Sequence, residues 1–154
     1  MKPYNVMKLE FLSKSTNEAF ARATVAAFAA SLDPTIEEMN DIKTAVSEAV
    51  TNCIVHGYRD TLGKIYITAS LFENNRLVVQ IRDKGCGIEN LEQAMQPLFT
   101  TGNPSERAGL GFSVMQSFMD KLKVRSTPGK GTVVVMEKTI SIRGFHNDGK
   151  QTRE

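Results

Sequence analysis

Glu48 and Asn52 stand four apart in a stretch whose apolar residues recur at helical spacing, so their side chains leave one helix face a single turn apart. A carboxylate there can accept a proton, and an amide oxygen one turn on is a ligand type for a hard cation such as Mg²⁺. The same pair also reads as an ordinary solvated couple, because polar side chains mostly face water. Asp83-Lys84-Gly85-Cys86-Gly87 follows a run rich in Val and Ile. Glycines there let a flat heteroaromatic ring lie against backbone, while a buried carboxylate accepts from an exocyclic amine such as that of adenine; the competing reading is a tight turn. Gly109-Leu110-Gly111 opens a helical stretch and reads either as a plain helix entrance or as a phosphate cradle of free N–H groups. His56-Gly57 reads as a helix C-terminal cap carrying a histidine that the dipole favours.

Each pattern alone is weak. At average residue usage a chain of this length should contain roughly 0.04 DxGxG, 0.7 GxG and 0.4 ExxxN, so all three in this order arise about once in several hundred sequences. Neither a P-loop nor a GxGxxG after an early strand is present, so a nucleotide would have to be held another way.

The elements that must position these residues follow from periodicity. Met7, Leu9 and Phe11 alternate with Lys8 and Glu10 from Val6 to Leu12, the period of a half-buried strand. Ser15-Thr16-Asn17-Glu18 reads as a capping box before an alanine-rich helix ending near Leu32, where Asp33-Pro34 breaks it. Thr35-Ile36-Glu37-Glu38 is a second box, opening a helix that carries Ile36, Met39, Ile42, Val46, Ala49, Val50 and Cys53 on its apolar stripe and stops near Gly57. Residues 64–72 and 76–82 are strands joined by a Glu73-Asn74-Asn75 turn. A short amphipathic piece at 90–95 precedes a proline- and glycine-bearing loop at 97–108, expected to be mobile. Next come a helix over 109–121 and strands over 122–127 and 132–139 around Pro128-Gly129-Lys130-Gly131. This order predicts an α/β fold, a two-layer sandwich with a mixed β-sheet covered on one face by helices. Residues 1–140 are expected to form one domain, and 141–154 a polar tail.

With 154 residues, 41% hydrophobic and 23% charged, the chain reads as one ordinary globular domain able to bury a core without metal or disulfide. Cys53 and Cys86 lack the spacing of a zinc site or disulfide framework, which points to a reducing cytoplasm. The longest apolar run, Val25 to Ala30, is too short for a bilayer, and the amino terminus lacks a secretory pattern. A formal charge of +2 carries no nucleic-acid footprint, although residues 121–154 hold eight basic and three acidic residues, a bias that reads as a solvated surface.

Glu48-Ala-Val-Thr-Asn52 with His56-Gly57, then Asp83-x-Gly85-x-Gly87, Gly109-Leu110-Gly111 and Gly131-Thr132, resemble the successive nucleotide-binding boxes of the GHKL ATPase/kinase superfamily. Ser47 to Asn52, His56-Gly57-Tyr58 and Gln96-Pro-Leu-Phe-Thr-Thr101 are similar to the anti-sigma-factor serine kinases of spore-forming bacteria, over about Met7 to Thr139. The sporulation branch, acting on sigma F, resembles it most; the stress-response sigma B kinase, or another GHKL ATPase or histidine-kinase catalytic domain, is the alternative.

The resemblance implies the Bergerat ATP-binding fold, ATP or ADP with Mg²⁺, and roles for particular residues. Glu48 would be the general base, Asn52 the Mg²⁺ ligand, and Asp83 the partner of the adenine amine, supported through water by Thr132. Gly85 and Gly87 would line the base. Residues 97–108 would be the lid, with Thr100, Thr101 and Arg107 near the phosphates and Gly109, Leu110 and Gly111 around them. The implied partners are a sigma factor, an anti-anti-sigma protein carrying the acceptor serine, and a second copy of the chain, with no direct nucleic acid and no membrane. Arg22 is the basic residue on the alanine-rich helix and is the candidate partner contact. Ala19, Ala23, Ala26, Ala27 and Ala30 beside it either admit another protein or simply pack on the sheet.

Overall fold

The computed structural model describes residues 1–96 and 110–142. The elements run β1 Asn5–Leu12, α1 Asn17–Ala29, a 3₁₀ turn Ala30–Leu32, α2 Ile36–Asn52, a π-helical turn Cys53–Gly57, β2 Lys64–Phe72 and β3 Arg76–Asp83. They continue with α3 Leu91–Met95, α4 Phe112–Phe118, β4 Lys121–Thr127 and β5 Gly131–Thr139. The five strands lie in the order β1-β2-β3-β5-β4. The two-layer α/β sandwich is as expected, but every pairing is antiparallel, which corrects the expected mixed sheet. The reason lies in the connections. The two hairpins are antiparallel by construction, the β1–β2 connection joins strands of opposite sense, and β4, which runs in the same sense as β3, is kept from pairing with it by β5 between them.

Register places alternate residues on opposite faces. Ile65, Ile67, Ala69 and Leu71 of β2, Leu77, Val79 and Ile81 of β3, and Val134 and Met136 of β5 are buried with Ile42, Val46 and Val50 of α2 and Met115 of α4. Each large side chain fully buried there contributes about 1.5–3 kcal/mol. On the other face Glu10, Tyr66, Arg82, Val133 and Arg125 line up strand to strand, as do Lys8, Thr68, Gln80, Val135 and Lys123. Among the described residues no helix covers that face.

The second capping box forms as the sequence implies: Glu38 N–H donates to Thr35 Oγ1 at 3.0 Å and Thr35 N–H to Glu38 Oε1 at 2.9 Å. Glu38 also accepts from the Ser141 N–H and hydroxyl, which ties the segment after β5 to the start of α2. The first box does not form. Thr16 caps α1 with helical backbone angles and no side-chain hydrogen bond, while Glu18 pairs with Arg22 at 3.1 Å. Backbone takes over the capping role there, since Glu18 N–H already bonds to the Ser15 carbonyl at 3.3 Å.

Helix α1 buries Ala21, Val25, Ala26 and Ala29. Of the five alanines singled out above, only Ala26 faces the core; Ala19, Ala23, Ala27 and Ala30 are exposed. In the β2–β3 turn Asn74 and Asn75 both adopt positive φ, the conformation that Asn tolerates best after Gly.

Candidate functional site

The apolar stripe of α2 packs on the sheet, so the polar residues beside it, Glu48 and Asn52, flank the core at half-burial. Beyond Asn52 the helix widens into the π turn, closed by Tyr58 N–H to the Cys53 carbonyl at 2.9 Å. π turns are frequent at functional sites because the extra residue re-aims side chains. Here Cys53, His56 and Gly57 come to one wall of a cleft together with Asn52. The other walls are Asp83, Gly87, Ile88, Leu110, Phe112 and Thr132, with Ala49, Ile81 and Val134 completing the lining.

Asp83 ends β3 and is 4% exposed. Its carboxylate accepts the Gly85 N–H at 2.9 Å, the Thr132 N–H and the Cys53 thiol. Burial pushes the carboxyl up, the three donors oppose that, and the balance lies above the ordinary value of 3.8. Burial and the neighbouring Asp83 push the Cys53 thiol well up, so it stays a donor. Burial, then the Arg59 charge, moves His56 down and keeps it neutral.

Two glycines make this geometry possible. A Cβ on Gly57 would stand 2.9 Å from Asp83 Cγ, and one on Gly85 would stand 2.1 Å from the Gly57 carbonyl oxygen. Gly85 therefore sits behind Asp83 against the Gly57 backbone, while Gly87 lines the cleft. Tyr58 holds the same corner, its hydroxyl accepting from Lys84 N–H at 2.8 Å and donating to the Lys64 carbonyl. Thr132 hydrogen-bonds Ser126 through their hydroxyls at 2.8 Å, and Ser126 also accepts from Ile88 N–H, closing the far side of the cleft.

Toward α4 the Asn52 side-chain amide donates to the Leu110 carbonyl, leaving its oxygen as the atom suited to a cation. A Cβ on Gly111, which has φ +65°, would meet Glu48 Oε2 at 2.3 Å. The carboxylate thus lies against the start of α4 and outside the cleft lining. With Leu110 in this position the cleft is a slot of about 20 Å³, room for one water. A purine needs a wider opening than this slot. Its chemistry suits a flat base: apolar walls, glycine where the wall is closest, and one buried acceptor at the end.

The structure thus brings Asn52, Asp83, Gly87, Leu110 and Thr132 to one cleft, with Glu48 and Gly111 at its edge and Gly85 behind it. Thr100, Thr101, Arg107 and Gly109 lie outside the described residues. Arg22 stands apart on α1, its guanidinium shared between Glu18 and the Ser47 hydroxyl at 3.3 Å. Sequence reasoning missed Cys53 and gave His56 only a capping role. A π turn has no local signature, and Cys53 falls on the core stripe. Among the described residues no three His, Cys, Asp or Glu side chains cluster as a metal site. A Mg²⁺ ion would lean on Asn52 and on oxygens of the nucleotide.

Residues 11–138 match the model of the histidine kinase-like ATPase domain family. The anti-sigma F factor of Thermoanaerobacter sp. (strain X514) is 64% identical over 88% of this chain and 94% of its own length. That of Clostridium acetobutylicum is 54% identical over 90% of this chain and 96% of its own. Among solved structures, the RsbU and RsbW domains of a Mycobacterium tuberculosis protein superpose with a TM-score of 0.66 at 17% identity, covering 90% of this chain and 32% of that one. The histidine kinase domain of the blue-light activated kinase of Erythrobacter litoralis EL346 gives 0.54 at 21% identity, covering 80% of this chain and 60% of that one. These two show the fold. The chain belongs to the histidine kinase-like ATPase family of the GHKL superfamily and, within it, to the group of anti-sigma F factors.

Proposed function

We propose that this protein is a cytoplasmic, homodimeric anti-sigma factor that holds a sporulation sigma factor of the sigma F kind. With Mg-ATP it phosphorylates a serine on the anti-anti-sigma antagonist. The observation that carries the nucleotide reading is Asp83: a carboxylate 4% exposed, fixed by Gly85 and Thr132 N–H groups at the end of an apolar slot. Relatives named anti-sigma F factor, similar over almost their whole length, support the regulatory reading.

Asp83 would hold the adenine amine as acceptor, with Gly87, Ile88 and Leu110 against the ring. Asn52 would offer its amide oxygen to Mg²⁺, which supplies neutralisation of phosphate charge when bound; the Gly109, Leu110 and Gly111 backbone would cradle the phosphates, with Thr100, Thr101 and Arg107 near them. Glu48, beside Gly111, takes the proton of the incoming serine hydroxyl. Phosphoryl transfer asks mainly for such positioning and charge neutralisation. Residues 1–140 form the catalytic unit and 141–154 a tail, and Arg22 contributes to partner docking.

Glu48→Gln tests the assignment. It keeps a hydrogen-bonding side chain but cannot accept the proton, so phosphorylation of purified antagonist with radiolabelled ATP is expected to fall by about 10²–10⁴-fold. Nucleotide and sigma-factor binding are expected to persist. Loss of all three activities together returns Glu48 to a structural role.

A further inference from the structure

The sheet face turned away from the helices carries a charge distribution that the nucleotide site does not use. Its two carboxylates are already engaged: Glu10 with Lys64, and Glu137 with Arg76 and Lys121. Five cations remain at one end, Arg82 and Lys84 at the close of β3, Lys123 and Arg125 on β4, and Lys130 in the β4–β5 turn. All five are exposed. None makes an ion pair with a carboxylate among the described residues. They stand in a chain whose formal charge is only +2, so the rest of the molecule is net negative. The basic bias of residues 121–154 is thus gathered by the antiparallel register onto one surface.

Four of these cations border a cleft of about 570 Å³ that also holds Ser126, Thr127 and Val133 and reaches Asp83, Gly131 and Thr132 at its inner edge. Register sets Val133 between Arg82 and Arg125, and Val135 between Gln80 and Lys123. The surface is an apolar strip on β5 with guanidinium and ammonium groups along its sides. We propose that this basic end of the open sheet face is a docking site for an acidic, amphipathic segment of a partner protein. Apolar side chains of that segment rest on Val133 and Val135, and its carboxylates meet Arg82, Lys123, Arg125 and Lys130.

Other occupants fit less well. A single-stranded nucleic acid adds stacking of its bases on aromatic rings to the phosphate contacts that a basic surface offers. The aromatic ring at this site, Tyr66, is already occupied by the Arg82 guanidinium at 4.8 Å and the Lys84 ammonium at 5.1 Å. A second copy docked with its basic end opposite this one would bring like charges together, which costs association free energy. Steering by five unneutralised cations favours an acidic polypeptide and makes its capture sensitive to salt. The surface lies across the sheet from Glu48 and meets the nucleotide cleft only at Asp83 and Thr132, which the variants below leave in place, so it stands or falls separately from the kinase reading.

The test uses the full chain and a fluorescein-labelled peptide of about twenty residues, Glu and Leu arranged as an amphipathic helix. The same peptide with Gln for Glu is the control, and a single-stranded oligonucleotide of about twenty nucleotides is the nucleic-acid arm. Anisotropy at about physiological salt is expected to show the Glu peptide binding at least about tenfold more tightly than either. The combined variant Lys123→Glu, Arg125→Glu and Lys130→Glu is expected to lose at least about tenfold in affinity for it, with ADP affinity and melting temperature unchanged. Equal peptide affinity in variant and parent overturns the proposal, as does tighter binding of the oligonucleotide. So does a shift of the monomer–dimer equilibrium in the variant by sedimentation, which assigns the face to a second copy. Should the triple variant fail to fold, Arg125→Glu alone is measured against the same criteria.

Discussion

Gly57 and Asp83 meet across the corner between the π turn and the end of β3, with no room for a methyl group between them. A Cβ on residue 57 would stand 2.9 Å from the Asp83 carboxyl carbon and 3.0 Å from both its oxygens. Gly57→Ala is therefore expected to push the carboxylate out of its place. ADP affinity should fall at least about tenfold, or about 1.4 kcal/mol, by equilibrium dialysis, while folding stability drops by about 1–3 kcal/mol, the usual range for overpacking. Unchanged ADP affinity would separate Asp83 from nucleotide binding.

The raised Asp83 carboxyl has two pH signatures of opposite sign. The folded chain holds this proton more tightly than the unfolded chain, so the Asp83 contribution to stability declines as pH rises from 3.8 through the raised folded value. Nucleotide binding needs the carboxylate as acceptor and is expected to weaken as pH falls through the same window. Isothermal titration with ADP across that range checks the second; urea unfolding of parent and Asp83→Asn checks the first. Asp83→Asn should abolish the acid limb of binding together with most of the affinity.

Glu38 has the reverse linkage. Burial works against its ionisation, but hydrogen bonds from Thr35 and Ser141 together hold its carboxyl below the ordinary 4.5. Its stabilisation is full above that value and is lost as pH falls through the lowered folded value. Glu38→Gln is expected to cost about 1 kcal/mol at neutral pH, the scale of a helix cap. The difference from the parent should shrink in acid, as read by urea unfolding at several pH values.

Lys138 reaches from β5 into the helix layer, donating to the Phe118 carbonyl at 2.8 Å and lying 3.6 Å from Asp41. It is 9% exposed. Removing either partner of such a pair leaves the other charge poorly solvated, and losing Lys138 also strips the Phe118 carbonyl of its donor. Asp41→Asn, after which Lys138 still donates to the Phe118 carbonyl, is expected to destabilise by about 2 kcal/mol, and Lys138→Met by at least as much. Thermal or urea unfolding of both variants orders them.

Local rules were enough to read nearly every element from the sequence. Alternation gave the strands, the Thr35–Glu38 box gave the start of α2, and asparagines gave the β2–β3 turn, because each depends on neighbours a few residues away. Glu48, Asn52 and Asp83 stood out as candidates for the same reason, each belonging to a short pattern on a recognisable element, whereas Thr132 entered only through the family resemblance. Three things came only from the tertiary structure. Strand order made the sheet antiparallel throughout, since pairing is decided between segments far apart in the chain. The π turn brought Cys53 and His56 to the cleft, because its extra residue per turn answers the packing of Tyr58 and Gly57 on β3 and has no pattern of its own. And register gathered Arg82, Lys123, Arg125 and Lys130 onto one uncovered surface. In sequence these cations are scattered, and only pairing between strands sets them side by side.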